Sequence, residues 1–199
     1  MMNRTVAPLK HPESSFARVM RVLVLNLIGF CAADFSWGQA DESKRSIALP
    51  ASFEAQQLLW EVELGDHHYT VPRIDGRSLF IGVNDSKIDH PVVRSSGGGI
   101  MMCLDRLSGE MVWQLPIPRL FEGNDPPFHF NHWRCGVCSS PVIDGERLFI
   151  VGPRGDVLCV DRNGQADGND GPFMDDAQYM GVPSGSDYQL SGTDGDVIW

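Results

Sequence analysis

Between His129 and Ser140 the chain reads HFNHWRCGVCSS. His129, His132, Cys135 and Cys138 recur at every third residue, placing four soft or borderline metal ligands within ten positions. A metal centre, a dithiol couple and an ordinary strand entrance carrying thiols are the three readings to separate. Covalent haem needs histidine directly after the second cysteine, and Ser139 stands there. Structural zinc usually takes two ligand pairs separated by a longer loop, and a strand would send alternate side chains to opposite faces. A thioredoxin-like couple needs a helix start after a βαβ unit, which the surrounding sequence does not predict. Structural thiols, a local Cys135–Cys138 disulfide, and a metal site built from His129, His132, Cys135 and Cys138 therefore stay open.

Two further stretches carry polar chemistry. DRNGQADGNDGPFMDD, Asp161 to Asp176, alternates carboxylates and amides as a calcium loop does. Setting Asn163, Gln165, Asp167 and Gly168 on the first EF-hand positions puts Met174 where a bidentate acid is required, so that register fails. A solvated acidic loop is the expectation, with calcium as the alternative. His67-His68 are adjacent, so on a strand they face opposite ways and read as packing or solvent residues. No Ser-His-Asp order, HExxH motif or phosphate-binding glycine loop is present.

The elements that position these residues come from an internal repeat. TVPRIDGRSLFIGV from Thr70 and SSPVIDGERLFIVG from Ser139 match at Pro72/Pro141, Asp75-Gly76/Asp144-Gly145 and Leu79-Phe80-Ile81/Leu148-Phe149-Ile150. Two apolar runs joined by Asp-Gly predict a β-hairpin, because that dipeptide adopts the positive φ of tight turns. GIMMCLDR from Gly99 then parallels GDVLCVDR from Gly155, with the residues from Asn84 to Ser96 read as a loop inserted in the first copy. Cys103 and Cys159 are equivalent and flanked by apolar residues, which predicts buried fillers. Trp60, Trp113 and Trp199 end the units. Each unit is thus four short antiparallel strands, the composition of a propeller blade. The His/Cys ligands belong to one unit only, since the equivalent positions of the first are Trp60, Glu63, Asp66 and Tyr69.

Leu104-Asp105, Ser108-Gly109-Glu110 and Trp113 resemble the pyrroloquinoline-quinone-like (PQQ-like) β-propeller repeat, whose strand ends in Leu-Asp before a Ser/Thr-Gly turn and a Trp. The second copy keeps Asp161 and Asn163-Gly164, then departs through an acidic insertion at 165–194 before Trp199. The resemblance implies an all-β chain: a β-propeller of PQQ-like repeats over residues 58–199, holding about two four-stranded blades. That is fewer than the four to eight a propeller closes with, which implies a fragment of a larger propeller or self-association through open blade edges. It also implies that the tryptophans pack between neighbouring blades, with Asp75, Gly76, Asp105, Gly109, Asp144, Gly145 and Asp161 holding the corners.

Such propellers include non-catalytic scaffold proteins and quinone-dependent dehydrogenases. The expected reading is a binding or scaffold module for an unknown protein or small-molecule ligand, with no catalytic residue and no cofactor assigned. The alternative is part of a quinoprotein dehydrogenase, which implies PQQ with calcium held by several blades and commonly an adjacent cysteine pair. Cys135 and Cys138 are spaced instead, and no calcium ligand is assigned. A metal-binding module using the stretch 129–138 is the third reading.

Residues 1–40 read as an N-terminal extension and secretory signal, with Met20 a plausible start, and 41–57 as a linker. Arg18 and Arg21 precede the apolar run Val22 to Phe30, and Gly38-Gln39-Ala40 offers small residues for signal cleavage. That run is too short for a stable membrane span. Export to the periplasm or exterior follows, an oxidising setting for the thiols. The net charge of −10 and the lack of any basic run argue against nucleic acid.

Overall fold

The computed structural model describes residues 58–119 and 133–199. The segment 1–57, with the expected signal and linker, and His129 and His132 lie outside the described residues. The described chain is mostly β-sheet. Strands β1 (Arg73–Asp75), β2 (Ser78–Asn84), β3 (Gly99–Asp105) and β4 (Met111–Ile117) form one antiparallel sheet in sequential order. Strands β5 (Val142–Asp144), β6 (Arg147–Val151) and β7 (Val157–Asp161) form a second, three-stranded antiparallel sheet. One short helix, α1 (Asp176–Tyr179), follows. Among the described residues no helix is long and apolar enough to cross a membrane.

Both hairpins turn at Asp-Gly. Gly76 and Gly145 have φ of 57° and 59°, the left-handed conformation that costs a side chain most and glycine least. The register then sorts the side chains. Leu79, Ile81, Val83, Ile100 and Leu104 share one face of the first sheet and pack against Trp60, Val62 and Leu64. Phe80, Met101, Cys103, Trp113 and Leu115 share the other and form a single core with Leu148, Ile150, Leu158 and Val160 of the second sheet. Leu148 and Ile150 occupy the repeat positions of Leu79 and Ile81, so the sheets stack head to tail: each turns its Leu-Ile face back towards the preceding segment and its Phe face forward.

The second unit differs from the first at its fourth strand. Val160 pairs with Val197 through an isolated antiparallel bridge, and Cys159 N–H donates to the Trp199 carbonyl (3.0 Å). The Asp196–Trp199 segment thus lies beside β7 without forming a regular strand. Just before it, Gln114 N–H donates to Thr193 O (3.0 Å) and Gly195 N–H to Gln114 O (2.8 Å), a parallel contact with β4. Residues 193–199 therefore bind the edges of both sheets in turn. The long insertion between turn and terminal segment lets the chain make this double crossing, which four strands in strict sequence would not.

Candidate functional site

The tryptophans join one unit to the next. The Trp60 indole N–H donates to Arg106 O (2.8 Å), and the Trp113 indole N–H donates to Arg162 O (2.9 Å). Each ring lies against the glycine of the receiving turn, where a Cβ on Gly109 or Gly164 would come within 2.6 Å or 2.9 Å of the ring. The corner aspartates hold those turns. Asp105 accepts from Leu107 N–H (2.8 Å) and Ser108 N–H (3.1 Å) and pairs with Arg77. Asp161 accepts from Asn163 N–H (2.7 Å) and pairs with Arg147 (3.2 Å). Asp75 crosses between the sheets to Arg162 (2.6 Å), whereas Asp144 and Gly145 are exposed at the second hairpin.

Trp113 is fully buried and stands 6.1 Å from Phe80, ring to ring. Trp199 and Phe149 repeat that pair at 6.2 Å, on the forward face of the second sheet. Here the environment differs, since Trp199 is 54% exposed, with Val142, Val151 and Val157 exposed around it. Trp199 has the ring partner that Trp113 has but not its cover: among the described residues no sheet lies over this face.

Cys135 is buried and Cys138 exposed, both as free thiols, and Cys103 and Cys159 are buried. Burial pushes the Cys103 thiol up to about 11, which makes it chemically inert. Among the described residues no three His, Cys, Asp or Glu side chains converge on a metal position. His67 Nδ1 meets the Asn84 amide (3.3 Å) and its ring stacks on Tyr69.

In the acidic stretch Asp167, Asp170 and Asp175 are exposed, as a solvated loop would have them, while other carboxylates here turn inward. Asp176 is fully buried and accepts from Val197 N–H (2.7 Å) and the Asn169 amide (2.7 Å). Asp196, also fully buried, accepts from Asp170 N–H (2.9 Å), and its Oδ1 has no donor. Loop backbone without strand partners takes these carboxylates as acceptors, which draws them inside. Burial pushes Asp196 up from 3.8 to about 6, with Asp176, Asp161 and Asp170 adding to the rise. The folded chain then keeps a proton that the unfolded chain has already released. This contribution favours folding most below about pH 4 and is lost as pH rises through about 6. Urea unfolding is expected to show Asp196 costing about 1 kcal/mol of stability between pH 5 and 7, and Asp196→Asn to remove that part of the slope. An unchanged slope in the variant would exclude the assignment.

Sequence spacing also gave no sign of His90. Its Nε2 meets Asp194 Oδ1 (3.1 Å), both side chains 1% exposed, across 104 residues of chain. The stretch 165–194 supplies Tyr188 and Ser191 to the same carboxylate. These groups tie the loop after β2 to the terminal segment, and the Ser191 hydroxyl bonds to the Asp194 carboxylate (3.2 Å) and to the Thr193 hydroxyl (2.8 Å). No protein-family model matches this chain, and no curated protein is significantly similar to it.

Proposed function

We propose that the chain is an exported, non-catalytic module of PQQ-like β-propeller repeats that serves as a binding scaffold. Its open forward face takes another sheet of the same kind. The observation that carries this reading is the repeated aromatic pair: Phe80–Trp113 lies under the second sheet, while Phe149–Trp199 has the same ring spacing and no cover among the described residues. The head-to-tail stacking of the two sheets supports the propeller reading, because it uses different faces on its two sides and leaves a further face to be filled. By analogy with Trp113, the occupant presents a Leu/Ile/Val face and a turn carbonyl to accept the Trp199 indole N–H.

A second copy of the chain is the direct probe. Sedimentation velocity over rising concentration is expected to show association, and Trp199→Ala to weaken it about tenfold or more, as loss of an aromatic anchor does. Val157→Lys, which places a charge on the same face, is expected to abolish it. Because both residues are more than half exposed, neither change removes core packing. A chain that stays monomeric throughout, or associates regardless of both substitutions, would overturn the docking role. Turnover of an alcohol or sugar after addition of PQQ and calcium would overturn the non-catalytic half.

A further inference from the structure

A cleft of about 450 Å³ opens between the segment leading into β5 and the turn joining β6 to β7, lined by Arg134, Cys135, Cys138, Val151 and Pro153, with Gly97 at its edge. It holds both cysteines of the Cys-x-x-Cys motif and meets the face around Trp199 at Val151. The segment is clamped in place. Val137 is fully buried and its N–H donates to Val83 O (3.2 Å). Gly136 has φ of 73°, and a Cβ there would lie 2.4 Å from Val83 O and Asn84 Cα. This close approach to β2 fixes the loop and divides the thiols, with Cys135 turned inward and Cys138 outward.

The outward thiol stays close to its partner's loop. Cys138 Sγ lies 3.6 Å from Gly136 O and 3.8 Å from Cys135 O, folded back over the loop. Arg134 has φ of 51°, and among the described residues it is the non-glycine residue with positive φ. Its side chain lies along Gly97, with Nε 3.2 Å from where a Cβ of that glycine would stand. No carboxylate among the described residues pairs with it. One accessible sulfur, one sheltered sulfur three residues away and a cation with no carboxylate partner among the described residues therefore share one cleft. An accessible thiolate that attacks, and a sheltered one that resolves, are the two parts of disulfide exchange.

We propose that this cleft is a thiol–disulfide exchange site for small disulfides bearing carboxylates. Cys138 is the attacking sulfur, Cys135 the resolving sulfur, and Arg134 binds the ligand's carboxylate. In the first step Cys138, having given its proton to water, attacks one sulfur of the incoming disulfide. The bond from Cys138 Sγ to that sulfur forms, the ligand's S–S bond breaks, and one thiolate leaves. In the second step Cys135, deprotonated in turn, attacks Cys138 Sγ and expels the second thiolate. The two protons end on the two released thiols. The protein dithiol has lost two electrons, which the incoming disulfide has gained. Val151 and Pro153 supply the apolar wall against which the bound half of the ligand rests.

The test uses the full chain carrying Cys31→Ser, which removes the fifth cysteine, with oxidised glutathione as the anionic probe and cystamine as a cationic one. Burial and the Cys135 sulfur push the Cys138 thiol up from its ordinary value, so the reaction is read at mildly alkaline pH by intact mass. This parent chain is expected to lose two hydrogen masses without a lasting adduct. Cys135→Ser is expected to trap one glutathione on Cys138, and Cys138→Ser to react at least tenfold more slowly. Arg134→Asn, a residue that tolerates the left-handed backbone, is expected to slow glutathione disulfide several-fold and leave cystamine unchanged. The buried Cys103 and Cys159 serve as internal controls and stay unmodified while the chain is folded. An equal rate for the two serine variants, or no adduct in Cys135→Ser, would overturn the exchange site. Equal slowing of both probes by Arg134→Asn would overturn the carboxylate role.

Discussion

Trp113→Ala is expected to lower the unfolding free energy by about 4 kcal/mol, read as a shift of the urea midpoint. The indole is fully buried where the two sheets meet, against Phe80 on its own sheet and within the core that includes Leu148 and Val160. Truncation loses the largest fully buried side chain of the described residues and opens a cavity between two hydrogen-bonded sheets that have little freedom to collapse. It also strips Arg162 O of its indole donor at 2.9 Å, adding a lost hydrogen bond to the lost packing. Gly164, with φ of 60° and the ring close over it, offers no side chain to move into the gap. Trp60→Ala supplies the comparison. Trp60 makes the same kind of bond to Arg106 O but is only partly buried, so about 2 kcal/mol is expected. Equal losses for the two substitutions would show that the inter-sheet position of Trp113 adds nothing.

The contrast between these tryptophans marks what the sequence could carry. Asp75-Gly76 and Asp144-Gly145 announce their hairpins because the turn conformation is a property of the dipeptide itself. The matched offsets of Leu79-Phe80-Ile81 and Leu148-Phe149-Ile150 announce alternating faces because side chains on a strand alternate by geometry. Nothing local, however, distinguishes Trp113 from Trp199. Both end a unit and both pair with a phenylalanine, yet one is fully buried and the other 54% exposed. The difference lies in what stands on the far side of the ring, which is a fact about the neighbour.

The same limit applies to the carboxylates. Composition reads the stretch from Asp161 to Asp176 as acidic and therefore solvated, because a free carboxylate is best left in water. Asp176 at its end and Asp196 in the terminal segment escape that rule by accepting backbone N–H groups, from Val197 and Asp170, that no strand partner satisfies. Those pairings depend on the terminal segment returning across an insertion to meet both sheets. The Cys-x-x-Cys spacing was legible as thiol chemistry, whereas the sheltering of Cys135 against exposure of Cys138 follows from the contact of Gly136 with β2. A pattern of residue types names the chemistry available; long-range packing decides which member of the pair a ligand meets.

Asp194→Ala tests the longest of these connections, and a loss of about 3 kcal/mol is expected. His90 Nδ1 accepts from Val93 N–H (3.0 Å) and Val92 N–H (3.3 Å), so its proton sits on Nε2 and is donated to Asp194 Oδ1. The other oxygen accepts from the Tyr188 hydroxyl (2.7 Å), Ser191 N–H (2.8 Å) and the Ser191 hydroxyl (3.2 Å). Alanine would leave a buried imidazole N–H and the donors at Tyr188 and Ser191 without their acceptor, and desolvated donors without partners are what make such losses large. The cost should concentrate in one region. Amide exchange is expected to quicken at Gln114, Gln165 and Gly195, whose N–H groups bond across the terminal segment, while β2 and β3 keep their protection. A second readout is specific to the carboxylate. Burial and the bond to Asp194 push the Tyr188 hydroxyl up to about 12. In Asp194→Ala its titration is expected to move down towards 10, the ordinary value. Unaltered exchange at all three amides together with an unmoved Tyr188 titration would mean that the His90–Asp194–Tyr188 network does not hold the terminal segment to the sheets.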